Sequence, residues 1–304
     1  MLQREAGAKK YAKRQSKQQI GIALTLPAIV VMLATVVYPL IWALKISFLS
    51  SNSILTGKNE FVGFSNYLNV LASDEFSNAM VNTLAFVVVT VVMELLIGLL
   101  ISVTLNRRLR GNKIFAMLFS LPLMMAPIVA GFIWRWLFAD QYGIINYLLS
   151  FLGIENHLWF ATPFWAKSSV LIANLWQTTP FVILVLYAAL SNIPDEINEA
   201  ASIDGAGGFG LFRRITLPLL KPAILLVLVI RIADAFRIYD LVYILTGGGP
   251  GNATNVLNTF IYRKSFSDFQ FGQGSAASII ITLIIMVVSY FSFRLMRPGR
   301  GNAE

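Results

Sequence analysis

Several ionisable side chains stand inside stretches that are otherwise apolar. Glu94 is flanked by VVVTVVM and LLIGLLI, while Arg231, Asp234 and Arg237 recur every third residue, followed by Tyr239 and Asp240. Charges three apart on a helix can reach one another. The second set is therefore either an internal ion-pair ladder or a group lining a polar path, and Glu94 either faces that path or pairs with a polar group on a neighbouring helix. Asn174, Gln177 and Thr178 fall at i, i+3 and i+4 beside Pro180, with Trp176 next to them. They share one helical face, which offers either hydrogen bonds to a polar solute or adhesion between helices. The chemistry of an enzyme is not on offer. Cysteine is absent, which removes disulfides, thiolate metal sites and cysteine nucleophiles. The single histidine, His157, has no second histidine or carboxylate cluster to complete a metal site.

These polar residues need elements to hold them. The chain is 57% hydrophobic and 13% charged, against roughly 25% charged in a soluble domain. Six stretches reach the ~20 apolar residues that cross a hydrocarbon core. They run approximately over 20–46, 83–105, 114–137, 168–190, 222–245 and 276–296. The expected fold class is an all-α integral membrane protein with six transmembrane helices, and no internal repeat is visible. The first stretch is much longer than the ~7–15 residues of a signal-peptide core, and no small-x-small cleavage site closes it. Pro27, Pro39, Pro122, Pro127 and Pro180 fall in or near the spans. Each frees a carbonyl one turn back, which suits kinked helices around a pore, although proline is also common in membrane helices generally.

The net charge of +9 raises nucleic acid as a partner, and the placement of the charges excludes it. Sixteen of the 24 basic residues lie before span one, between spans two and three, between spans four and five, or at and beyond the end of span six. The opposite loops hold only Lys58, Lys167, Arg263 and Lys264. Basic loops stay cytoplasmic, so both termini and the 191–221 loop are expected there. The chain divides into a basic tail over 1–19, which could rest on anionic lipid, a membrane domain over 20–297 and a short tail over 298–304. Two opposite loops, about 47–82 and 138–167, are long, and a third opens at Thr246 with a run of glycines; long structured loops are often binding surfaces.

The loop between spans four and five reads SNIPDEINEAASIDGAGGFGLFRRITLPLLKP over 191–222. Pro194, Asp195, Glu196 and Glu199 suit the start of a short helix, Gly205 suits its C-cap, and Leu211 to Leu217 forms a second short amphipathic piece. Gly205, Gly207 and Gly210 spell G-x-G-x-x-G, but no strand precedes them, so the dinucleotide reading fails. No G-x-x-x-x-G-K-[ST] phosphate loop occurs anywhere.

The loop resembles the cytoplasmic signature of binding-protein-dependent ABC importer permeases: Glu-Ala-Ala, three residues, Gly, nine residues, Ile-x-Leu-Pro. Glu199, Ala200, Ala201, Gly205, Ile215, Leu217 and Pro218 fill every position. FRIYDLVYILTGGGP over 236–250, then Thr254, Tyr262, Phe266 and Gly272, with Tyr38, Pro39, Gly143 and Asn146, resembles the carbohydrate permeases of maltose or glycerol-phosphate type. The resemblance implies a type I importer fold, with a five-helix core and an added N-terminal helix, in a bacterial or archaeal inner membrane. It implies coupling to a separate ATPase through Glu199, Ala200, Ala201, Asp204 and Gly205. It also implies a second homologous permease subunit, two ATPase subunits and an external sugar-binding protein. ATP and Mg would be bound by the ATPase, so the chain itself would hold no cofactor and be no enzyme. Under this reading Glu94, Asn174, Trp176, Gln177, Asp234, Arg237 and Tyr239 are candidates for the path of a carbohydrate. The alternatives are an ion-coupled transporter, which would use a midplane carboxylate such as Glu94, and a membrane-embedded enzyme, for which clustered carboxylates or a nucleophile–base pair are missing.

Overall fold

The computed structural model describes residues 25–51, 57, 60–107, 111–194, 196–197 and 208–296. Among them no strand forms, and one isolated bridge pairs Leu49 with Phe61. Five helices are long and apolar enough to cross a membrane: α1 (Thr25–Ser47), α3 (Asp74–Asn106), α7 (Pro163–Ser191), α8 (Gly208–Ala235) and α11 (Phe271–Met296). A short α2 (Ser65–Leu71) precedes α3. Helices α3 and α7 begin several residues before the expected 83 and 168, so part of each expected loop is helix. Ser73 caps α3 by accepting from the Phe76 amide, with Asp74 and Glu75 in the first turn, where carboxylates favour the positive end of the helix dipole.

The third expected span is broken. Helix α4 (Asn112–Ser120) runs through a 3-10 turn at Leu121–Met124 and stops, and α5 (Pro127–Leu137) restarts at an angle of 100°. Proline chemistry dictates the break: Ala126 precedes Pro127 and is therefore pushed into an extended conformation, and Pro127 takes the first position of the new helix, where no N–H is needed.

The fifth span also differs from expectation. Leu211–Leu217 is not a separate short helix but the first part of α8, which ends at Ala235 rather than continuing to 245. Pro218 is accommodated where the helix widens into a π turn over Phe212–Thr216 just upstream of it; Leu33–Val37 does the same before Pro39 in α1, while Pro222 lies further along α8. A widened turn moves the carbonyl that the proline ring would strike. Beyond Ala235 the chain turns and re-enters a short α9 (Asp240–Leu245). Asn258, in α10 (Leu257–Tyr262), donates to the Phe236 and Ile238 carbonyls at 2.9 and 3.2 Å, satisfying acceptors that the helix end leaves open. The remaining helix, α6 (Ile144–Ser150), follows α5.

Helices α3 and α7 pack along much of their length. The contact depends on small residues: a Cβ on Gly98 would stand 2.6 Å from Val182 Cγ1, and Ser102, one turn on, donates to the Ile183 carbonyl at 3.0 Å. Without a hydrophobic drive between helices in lipid, such close approach is what holds a bundle. Helix α1 touches the bundle mainly through α11 and is only 6% buried over its most apolar stretch, so it is an addition to a core of the other spans.

Candidate functional site

Helix α3 turns Glu94 inward, and α8 presents Arg231 to it across 137 residues of sequence. The guanidinium donates from Nε to Oε2 at 2.7 Å and from Nη2 to Oε1 at 2.9 Å, a two-pronged pairing. Its Nη1 donates to Asp234 Oδ2 at 2.5 Å, one turn along α8. The Thr178 hydroxyl, from α7, meets Glu94 Oε1 and lies 2.7 Å from the Asn174 carbonyl. Glu94 is fully buried and Arg231 5% exposed, whereas Asp234 is 53% exposed. A lone buried charge in hydrocarbon is costly; here each charge has its counter-charge and the third helix supplies a further hydrogen bond. The cluster joins α3, α7 and α8 at one point and leaves Asp234 facing outward from it.

Above this cluster lies a cavity of about 400 Å³. Asn174, Gln177 and Thr178 of α7, Asp234 of α8, and Arg237, Tyr239 and Asp240 after its end line it, with Met125 and Pro127 from the break between α4 and α5. Gln177 donates to the Met125 carbonyl at 3.1 Å and so satisfies an acceptor exposed by that break. The cavity thus sits where two spans are interrupted. Irregular backbone at membrane depth is tolerated where it borders protein or a water-filled space.

Of the expected site residues, the structure gathers Asn174, Gln177, Asp234, Arg237 and Tyr239 around this cavity. Glu94 stands behind its wall, paired as the structural alternative required. Trp176 stands apart from them: it lies on another side of α7, 5.8 Å edge-on to Trp134, among the cluster that includes Ala130 and Val170, and does not line this cavity. Next to Gln177 in sequence, it is turned about 100° from it around the helix. The ladder is shorter than its spacing implied. Because α8 ends at Ala235, Arg237 leaves the helix and forms no ion pair among the described residues; it is exposed instead. What spacing did not indicate is an aromatic wall at the cavity edge, in which Tyr239 stacks on Tyr243 at 5.4 Å and contacts Tyr262 at 5.3 Å. Glu199, Ala200, Ala201, Asp204 and Gly205 lie outside the described residues, while Ile215, Leu217 and Pro218 of the same motif form part of α8.

Residues 94–300 match the model of the binding-protein-dependent transport system inner membrane component family. The chain belongs to that family. As such an inner membrane component it is 36% identical over 286 residues to the trehalose/maltose transport system permease protein MalF of Thermococcus litoralis, covering 94% of this chain and 95% of the relative. It is 32% identical to the sulfoquinovosyl glycerol transport system permease protein SmoG of Agrobacterium fabrum, over 91% and 90% of the two chains. A chain from the crystal structure of a bacterial ABC transporter involved in import of the acidic polysaccharide alginate superposes with a TM-score of 0.83 over 95% of this component and 98% of that chain, at 22% identity. That likeness shows that this component shares the fold of that chain.

Proposed function

We infer that this inner membrane component forms half of the pathway by which an ATP-driven importer carries a sugar, with the 400 Å³ cavity beside Asp234 as its part of that pathway. The observation that carries the reading is the convergence of uncharged donors and acceptors from Asn174, Gln177 and Thr178 with the half-exposed carboxylate of Asp234 at the level where both α4–α5 and α8 are interrupted. Amide and carboxylate groups suit hydroxyl groups, and Tyr239 adds a ring face. The relatives named for trehalose, maltose and sulfoquinovosyl glycerol are permeases for glycosides, which favours the same class here. A second homologous permease would complete the path, an external solute-binding protein would deliver the sugar, and two ATPase subunits would hydrolyse ATP with Mg.

Coupling would pass through the 191–221 loop, with Glu199 meeting a basic group of the ATPase, Ala200 and Ala201 permitting close approach, and Asp204 and Gly205 at the turn. Because α8 runs unbroken from Gly208 to the cavity, a push on that loop would be transmitted along a rigid helix to Arg231 and Asp234. Both termini would be cytoplasmic. The bidentate pairing of Glu94 weighs against an ion-coupled carrier, since a coupling carboxylate must be free to take its ion. The test is sugar-stimulated ATP hydrolysis by the complex reconstituted from this chain with its neighbouring ATPase, permease and binding protein. Gly205→Asp and Glu199→Lys should abolish stimulation in complexes that still assemble; undiminished stimulation in both would overturn the coupling assignment.

A further inference from the structure

A second cavity, of about 260 Å³, lies between the ends of α3 and α7 that face the Thr246–Val256 loop. Ala85, Phe86 and Val89 of α3, Phe164 and Leu171 of α7 and Val242 of α9 give it an almost wholly apolar lining, with Lys167 at its rim. Asn82, at its loop end, donates to the Asn252 and Asn255 carbonyls at 3.2 and 3.1 Å, which fixes the groove against the loop. From Asn82 the groove follows α3 to Val89, a descent of about 10 Å at ~1.5 Å per residue. It is open on one side, and Val88, Val92 and Leu96 of α3 are exposed alongside and below it.

Lys167, near the start of α7, is unlike the described basic residues that follow the Thr246–Val256 loop at this end. Lys264 has Glu75 and Asp268 each at 3.3 Å, and Arg263 donates to Asn252 Oδ1 at 3.1 Å. Lys167 is exposed and has no acidic partner among the described residues. An unpaired ammonium on a flexible stem at the mouth of an apolar groove between membrane-spanning helices has the charge and shape of a phospholipid site. We propose that this groove holds one acyl chain of a phospholipid whose phosphate is met by Lys167. The apolar lining removes the chain from competition with bulk lipid by shape, and Lys167 supplies the charge that a phosphate complements. The depth in the outer leaflet rests on the orientation given under Proposed function; the pairing of groove and ammonium does not.

The test is native mass spectrometry of the full chain, in its complex, transferred to detergent from nanodiscs of phosphatidylglycerol and phosphatidylethanolamine. Wild type should retain phospholipid, Lys167→Gln should lower retention about five-fold, and Lys167→Arg should restore it. Val89→Trp, which fills the groove, should lower retention as well; Lys167→Gln alters an exposed side chain, so it reports even if the tryptophan variant assembles poorly. Equal retention by wild type, Lys167→Gln and Val89→Trp overturns the proposal. So does capture of the second permease subunit by a photo-reactive maleimide attached to Val89→Cys, which would show protein in the groove. Lipid retention is read without regard to sidedness, so a wrong orientation would appear in topology reporters and leave this result unchanged.

Discussion

Glu94 and Arg231 are the pair on which the interior of the bundle depends most. Replacing Glu94 with Ala leaves a buried guanidinium with only the half-exposed Asp234 to balance it, and one-sided removal of a buried pair costs about 3–5 kcal/mol. The expected result is a clear fall in the unfolding midpoint of the detergent-solubilised protein, and most of that loss should be recovered in the Glu94→Leu, Arg231→Leu double variant. Thr178→Val removes one hydrogen bond to the charged pair and should cost about 1.5–3 kcal/mol. Asp234→Asn separates structure from transport. Its side chain is 53% exposed to the cavity, so the unfolding midpoint should move little, while sugar-stimulated ATP hydrolysis by the assembled complex should fall. A variant that loses stability and keeps full stimulation would make Asp234 only a brace for Arg231.

At the scale of elements, two glycines behave oppositely for reasons visible in their surroundings. Gly98 lies where α3 meets α7, and any Cβ there would strike Val182; Gly98→Leu should destabilise by at least about 1–3 kcal/mol through overpacking. Gly210, near the start of α8, has open space around the position a methyl group would take, with nothing within 4 Å, so Gly210→Ala should be neutral or stabilise by about 0.4–1 kcal/mol by restricting the unfolded chain. Thermal unfolding of the two variants side by side checks both signs. Helix breaks have equally local causes. The 100° bend follows from Pro122 and Pro127 five residues apart, a pattern readable in the sequence, yet a proline is not enough by itself: Pro180, Pro218 and Pro222 sit inside continuous helices. What separates the cases is the backbone just upstream: Ala126 before Pro127 is extended, whereas Pro218 follows a widened helical turn.

For the whole molecule, the asymmetry of basic loops predicts that both ends of the chain lie on one side. Reporter fusions active only in the cytoplasm should be active at either terminus and silent in the loop between α6 and α7; activity of a loop fusion would reverse the orientation. The same asymmetry explains why net charge alone misleads, since +9 describes two populations of loops rather than one basic surface.

Composition and hydropathy are sums over neighbouring residues, so the membrane class and the presence of the apolar stretches were legible in the sequence alone, though not the break in the third or the true limits of the fifth, and family membership was legible through the fixed spacing from Glu199 to Pro218. The polar residues around the cavity were also legible, because a polar group inside a span stands out against its neighbours. Which of them meet was not. The spans are hydrophobic all round, so periodicity cannot distinguish a lipid-facing side from a packed one, and Trp176 could be placed only once α5 was known to lie against it. Tertiary structure alone decided that Glu94 pairs with Arg231, that α8 stops at Ala235 and frees Arg237, and that Lys167 overlooks an apolar groove. Each depends on which helices are neighbours, and that is fixed by side-chain fit at contacts such as Gly98 against Val182, which no local sum over the sequence contains.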